Sequence, residues 1–357
     1  MPARWRCVLL KPREAILKMA RYSPPTGGRA EKLRLDFNEN TVGCSPRVIE
    51  SLIKRLSAAQ LSIYPEYTDA VAELAAFFSV STDEFTVTNG TDEAIQLLVN
   101  TYVNHGGDVL LLQPSYPMYK FYAQVAGATI HEVQYRAEDF AFPLNDLLAE
   151  LRPETCAILI ANPNNPTGTG IALDGLRTIL ETASHSAVLV DEAYFEFCGV
   201  TALGWIREYS NLFVSRTFSK AYGVAAMRCG CLFSCAENVS WLRKAQSPYS
   251  VNALAAIAAR AAIQDRECVS SYVAEVLAAR ELACTGLRKL GIRFVPSQAN
   301  FVLFHAGDRA ISIRDALRER GILVRDRSHE VAGCLRVTIG TRAQIACFLE
   351  EMEKLWS

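Results

Sequence analysis

The chain has 357 residues, 50% hydrophobic and 21% charged, a balance that fills a core and excludes disorder, collagen and coiled coil. Lys plus Arg number 37 against 38 for Asp plus Glu, a formal net charge of -1. No whole-chain field is there to hold a nucleic acid or an anionic membrane, so any bound anion must be met locally. No apolar run approaches the roughly 18 residues that cross a bilayer, and none near the amino terminus has the length of a signal-peptide core. The eleven cysteines, scattered and odd in number, read as reduced thiols of a cytoplasmic protein rather than as a disulfide framework.

In chain order, the first forty residues carry nine Lys/Arg before Asp36 and a turn cluster at 23–28. With little periodic burial, residues 1–40 read as an arm that packs on something else. Seven short apolar segments then recur, at 84–88, 108–112, 128–133, 156–161, 187–191, 211–215 and 229–234. Each has strand length, and helix-length stretches such as 91–103 and 173–184 lie between them, with apolar residues spaced by three and four. That alternation predicts an α/β fold: a mostly parallel seven-stranded sheet covered by helices on both faces, in a large domain over 41–250. Beyond it an Ala-rich tract predicts one long bridging helix from 252 to about 290, followed by strands near 301–304 and 334–339, a helix near 313–320 and a carboxy-terminal helix. This texture implies a smaller α+β domain over 251–357. Cys229, Cys231 and Cys235 fall close together on a predicted strand, but no histidine or second CxxC pair supports a metal site there.

Chemistry gathers at predicted strand ends, where ligands of open α/β sheets collect. Asn162-Pro163-Asn164-Asn165-Pro166-Thr167-Gly168 follows the fourth strand, and Asp191-Glu192-Ala193-Tyr194 ends the fifth. The sixth runs into Arg216-Thr217-Phe218-Ser219-Lys220, with Arg228 eight residues on. An Asn-Pro turn, a helix-capping acid or a surface lysine would each be ordinary alone. An amide, an acid, a phenol, a lysine and phosphate donors on successive strand ends make up the set that a pyridoxal phosphate enzyme needs. Lys220 would form the Schiff base with the aldehyde, and Asp191 would keep the pyridine nitrogen protonated. Asn165 and Tyr194 would hold the ring oxygen. Thr217, Ser219, Arg228 and the helix start at Gly90-Thr91-Asp92 would meet the phosphate, and Tyr116 would stack on the ring.

This ordered set resembles the fold-type I pyridoxal phosphate aminotransferases of the class I/II group, from about Tyr22 onward. Within that group it is most similar to the histidinol-phosphate aminotransferase family, through Leu35-Asp36-Phe37-Asn38-Glu39-Asn40, Gly43-Cys44-Ser45-Pro46, Tyr64-Pro65, Gly90-Thr91-Asp92-Glu93, Leu323-Val324-Arg325-Asp326 and the stretch from Gly333 to Thr341. The resemblance implies a homodimer in which Tyr64 reaches the cofactor phosphate of the neighbouring subunit. It implies that Arg336 clamps the carboxylate of glutamate, that Arg325 and Tyr22 hold the substrate's phosphate or second acid, and that Asn40 contributes to the substrate site. It also implies ping-pong transamination between L-glutamate and L-histidinol phosphate in histidine biosynthesis, with Lys220 shuttling the proton. Two arginines suit both donors, because a guanidinium forks onto carboxylate and phosphate alike. The residues alone leave room for an aromatic aminotransferase, for a threonine-phosphate decarboxylase and for a non-catalytic cofactor-binding regulator. One departure from the family pattern, Val224-Ala225-Ala226-Met227 where Gly or Leu is commoner near 225–227, implies a packing change only.

Overall fold

The computed structural model describes residues 10–21 and 27–356. Eleven strands are present: β1 (Leu33–Leu35), β2 (Phe85–Thr88), β3 (Asp108–Gln113), β4 (Thr129–Gln134), β5 (Thr155–Ala161), β6 (Ala187–Asp191), β7 (Leu212–Thr217), β8 (Gly230–Phe233), β9 (Phe301–His305), β10 (Ile322–Asp326) and β11 (Cys334–Thr338). Seven of them form one sheet in the order β2-β8-β7-β6-β5-β3-β4. Only β8 runs against its neighbours. The carboxyl ends of β2, β3, β5, β6 and β7 therefore share one rim, the geometry on which the expected site depends.

The central strands explain why the sheet is doubly covered. In β5, Ile158 and Ile160 pack into one core cluster, while Ala157, Leu159 and Ala161 pack into another. In β6, Val188 and Val190 separate from Ala187 and Leu189 in the same way. Successive side chains of a strand point to opposite faces, so an unbroken apolar run requires a helix layer on each side. Ile95 and Leu98 of the helix Gly90–Tyr102 and Tyr119 of Pro117–Ala126 line one layer, and Leu176 and Ile179 of Leu173–Thr182 belong to the other.

A second sheet runs in the order β1-β10-β11-β9. Here the structure departs from the sequence reading in three places, one of them β10, a strand that the reading does not include. The segment read as an amino-terminal arm contributes β1, which pairs parallel with β10 some 290 residues later, Leu33 opposite Ile322 and Leu35 opposite Val324. The tract expected as one long helix is two, Ala253–Gln264 and Arg266–Lys289. Asp265, at φ -106° and ψ 66°, leaves the helical region, and its carboxylate accepts from the Cys268 N–H to cap the second helix. Among the described residues no helix is long and apolar enough to cross a membrane.

Gly223 shows how tightly the segment after Lys220 is seated. Its φ is +72°, and a Cβ there would lie 2.6 Å from the backbone oxygen of Gly43. The expected outcome of Gly223→Ala is a loss of about 2 kcal/mol or more in unfolding free energy, measured by denaturant titration. A change within about 0.5 kcal/mol would show that the 40–44 loop yields freely.

Candidate active site

A cavity of about 600 Å³ opens at the rim. It is lined by Thr91, Asp92, Tyr116, Asn165, Asp191, Tyr194, Thr217, Ser219, Lys220, Arg228, Arg325 and Arg336, all singled out in the sequence. Sequence reasoning assigned no role to the remaining lining residues, among them Phe37, Asn38, Tyr119 and Arg327. Gly90 lies behind the wall. Asn40 is outside the lining; its amide donates to the Ala221 carbonyl and its oxygen accepts from the N–H groups of Val42 and Gly43. Tyr64 is also outside its own chain's cavity, 76% exposed and stacked on Tyr249 at 4.4 Å. Tyr22 lies outside the described residues.

Asp191 ends β6 fully buried. Its two oxygens accept from Tyr119 Oη at 2.8 Å and from Ser215 Oγ at 2.8 Å. Burial outweighs these bonds and raises the carboxyl to about 6. Lys220 is displaced in the opposite direction. Burial first, and then the guanidinium of Arg336, bring its ammonium down to about 8, while Nζ donates to the Phe37 carbonyl at 3.2 Å. Tyr194 Oη accepts from Asn38 Nδ2 at 3.0 Å and from Asn165 Nδ2 at 3.4 Å. Asn165 in turn accepts from Arg336 Nη1 at 2.5 Å. The loop that carries Asn165 is held from behind: Asn164 accepts from Ser115 Oγ and donates to the Pro114 carbonyl and to Thr167.

At the other end, Arg228 Nη1 donates to Ser219 Oγ at 3.2 Å and Nη2 donates to Asp92 Oδ2 at 3.2 Å. Tyr116 Oη donates to the second oxygen of Asp92 at 2.8 Å. Arg228 sits at φ +54°, unusual for a side chain with a Cβ and the kind of strain that collects at functional sites. Gly90 opens the helix Gly90–Tyr102 at φ +74°, and a Cβ there would stand 2.6 Å from Arg228 Nη2. Glycine at 90 leaves room for that guanidinium, and a guanidinium, a hydroxyl and a helix amino terminus brought together have the chemistry of a phosphate cradle. A buried acid, two phenols, a desolvated amine and this cradle fit a phosphorylated pyridine aldehyde.

The far wall is cationic. Arg325 and Arg336 face each other across the antiparallel pair β10/β11. Arg336 is 4% exposed; Nη2 donates to the Asp36 carbonyl at 2.7 Å, and its Nε has no hydrogen-bond partner. Burial, and then the charges of Arg327 and Arg325, push its pKa down. Like charges directly opposed across a ladder destabilise it unless an anion comes between them.

Tyr119→Phe removes a bond that favours ionised Asp191, so the Asp191 carboxyl of the cofactor-free protein should titrate above about 6, read by carbon NMR of labelled aspartate. Because this carboxyl is raised above its unfolded value of 3.8, its contribution to stability is present at low pH and is lost as pH rises from about 4 to about 6. In the variant that loss should extend to higher pH. An unshifted titration would show that Tyr119 does not govern Asp191.

The profile of the family described as "Aminotransferase class I and II" matches residues 30–352. A histidinol-phosphate aminotransferase of Symbiobacterium thermophilum is 36% identical, over 96% of this chain and 97% of its own. One from Thermococcus gammatolerans is 36% identical, over 91% of this chain and 92% of its own. Among solved structures, the histidinol-phosphate aminotransferase of Sinorhizobium meliloti in complex with pyridoxal-5'-phosphate shares the fold. It has a TM-score of 0.85 at 24% identity and covers 98% of this chain and 99% of that one. With the family profile spanning the rim, the cradle and the arginine wall, this chain belongs to the class I and II aminotransferases, in the histidinol-phosphate aminotransferase family.

Proposed function

We propose that this chain binds pyridoxal 5'-phosphate through Lys220 and transfers an amino group between L-glutamate and L-histidinol phosphate, as a cytoplasmic homodimer. The observation that carries the reading is that one cavity brings together a desolvated amine, Lys220, a buried carboxylate, Asp191, and an opposed arginine pair, Arg325 and Arg336. Asp191 would hold the ring nitrogen, oriented by Tyr119 and Ser215. Asn165 and Tyr194 would contact the ring oxygen, Tyr116 would lie against the ring, and Thr91, Thr217, Ser219 and Arg228 would hold the phosphate. Bound there, the cofactor supplies an electron sink for the bond broken next to the amino group.

The chain's own residues then do three things. Lys220 Nζ takes the proton from the substrate carbon and returns it; its lowered pKa keeps a larger share of the amine in the basic form near neutral pH. Asp191 keeps negative charge beside the ring nitrogen, where positive charge must be held. Arg336, fixed by Asn165 and the Asp36 carbonyl, orients a carboxylate, and Arg325 meets the second anion. Glutamate and histidinol phosphate can occupy this wall in turn, since each carries an anion remote from the reacting amine.

Dimerisation is supported by an exposed apolar surface over the helices Pro46–Arg55 and Ala58–Ser62, where Ile49, Ile53, Leu56, Leu61, Ile63 and Tyr64 face outward. Free cysteines throughout the described residues suit a reducing compartment.

Purified protein should aminate imidazole-acetol phosphate at the expense of glutamate, faster than it aminates phenylpyruvate and without carbon dioxide release from threonine phosphate. Lys220→Ala should abolish turnover, and borohydride reduction of the loaded enzyme should tag position 220 alone. Asp191→Asn should slow turnover by about two orders of magnitude or more. A pyridoxyl tag elsewhere, or preferred use of phenylpyruvate, would overturn the assignment.

A further inference from the structure

The site contains a third arginine that the substrate chemistry above leaves without work. Arg327 follows β10 directly, and its N–H donates to the Cys334 carbonyl at 3.0 Å, extending the β10/β11 ladder by one step. Two residues on from Arg325, it falls on the same face of the ribbon, and it lines the cavity beside Arg325 and Arg336. It is 4% exposed and forms an ion pair with Glu330 at 2.7 Å. The other acids of the cavity are engaged elsewhere: Asp92 with Arg228 and Tyr116, and Asp191 with Tyr119 and Ser215. Asp326 points to the opposite face, toward Arg314.

Both donors bring about two negative charges to the wall, but glutamate divides them between two carboxylates, whereas histidinol phosphate has no carboxylate and places them on one phosphate group. Arg336 suits the carboxylate of glutamate, and Arg325 alone balances a second carboxylate. A phosphate monoester carries about -1.5 to -2 at pH 7 and offers three acceptor oxygens, so a single guanidinium leaves it undercompensated in a desolvated pocket. We propose that Arg327 is a specificity-determining residue that supplies the second guanidinium for a phosphate dianion, with Glu330 as the anion that balances it when a monoanionic carboxylate is bound instead. The inference rests on the proposed function and names the residue that lets one subsite of the wall accept either a single carboxylate or a doubly charged phosphate. Glu330, three residues along the same turn and only 12% exposed at its side chain, keeps Arg327 from being buried uncompensated while glutamate occupies the site.

The test uses the cofactor-loaded enzyme, so that the cradle at Arg228 is filled, and measures inorganic phosphate and succinate binding at pH 8 by calorimetry. Arg327→Gln should lower the ratio of phosphate to succinate affinity by about tenfold or more. The double variant Arg327→Gln with Glu330→Gln, which leaves neither charge buried alone, should show the same fall. Arg327→Lys should fall between, because it keeps the charge and loses the fork. A smaller fall in both glutamine variants, parallel weakening of both anions, or no phosphate binding by the unsubstituted enzyme would overturn the proposal. Turnover of histidinol phosphate is read separately. Loss of that activity in the unsubstituted enzyme would remove the proposed substrate, while the anion ratio would still decide the role of Arg327.

Discussion

The site rests on the cost of keeping charge away from water. Asp191 and Arg336 are buried and Lys220 is half-buried, and each is pushed toward its neutral form, the acid upward and the bases downward. No direct ion pair joins these three. Hydrogen bonds from Tyr119 and Ser215, to the Phe37 carbonyl, and to Asn165 and the Asp36 carbonyl hold them apart. A ligand that brings a cation to Asp191, an electrophile to Lys220 and an anion to the arginine wall relieves all three costs together. The cavity is thereby shaped for binding before it is occupied, the preorganisation on which electrostatic catalysis depends.

That arrangement is possible because the surrounding fold is rigid where it carries charge. The rim residues stand at the ends of β5, β6 and β7; the interiors of β5 and β6 are unbroken apolar runs packed on both faces, and β7 enters the core through Leu212, Phe213 and Val214. Directly after Asp191 in the chain, Glu192 forms a buried ion pair with Arg216 that ties the ends of β6 and β7 together, helped by Thr201. Arg216 also lies over the ring of Phe195 at 3.5 Å. The polar side chains that do chemistry are thus positioned by neighbours that do none.

Much of this was legible in the sequence, and the pattern of what was not has a physical reason. The seven strands of the large sheet are local segments, most of them apolar and separated by helices, so periodicity locates each within a residue or two of its observed bounds. The rim residues follow because they directly succeed those strands. By contrast, β1 has three residues and is defined by pairing with a segment at the other end of the chain, which no local window can see. β10 ends in Arg325 and Asp326, charges that hide a strand whose apolar part is only Ile322, Leu323 and Val324. The break at Asp265 was masked by the alanines on its amino-terminal side, although an Asp three residues before Cys268 is an ordinary cap. Tyr119 escaped notice because it lies within a helix, where an aromatic is usually packing, and only the folded chain brings its hydroxyl to Asp191.

The pairing of β1 with β10 also bears on how the protein is made. Residues 33–35 leave the ribosome nearly 290 residues before their partners at 322–324. The seven-stranded sheet, complete by residue 233, can assemble while translation continues. Phe37 and Asn38, which follow β1 and close one side of the cavity, can be seated only once the late strand has emerged to receive it. A growing chain therefore carries the lysine and its carboxylate neighbour in an unfinished pocket, and the chamber is sealed only after β10 has been made.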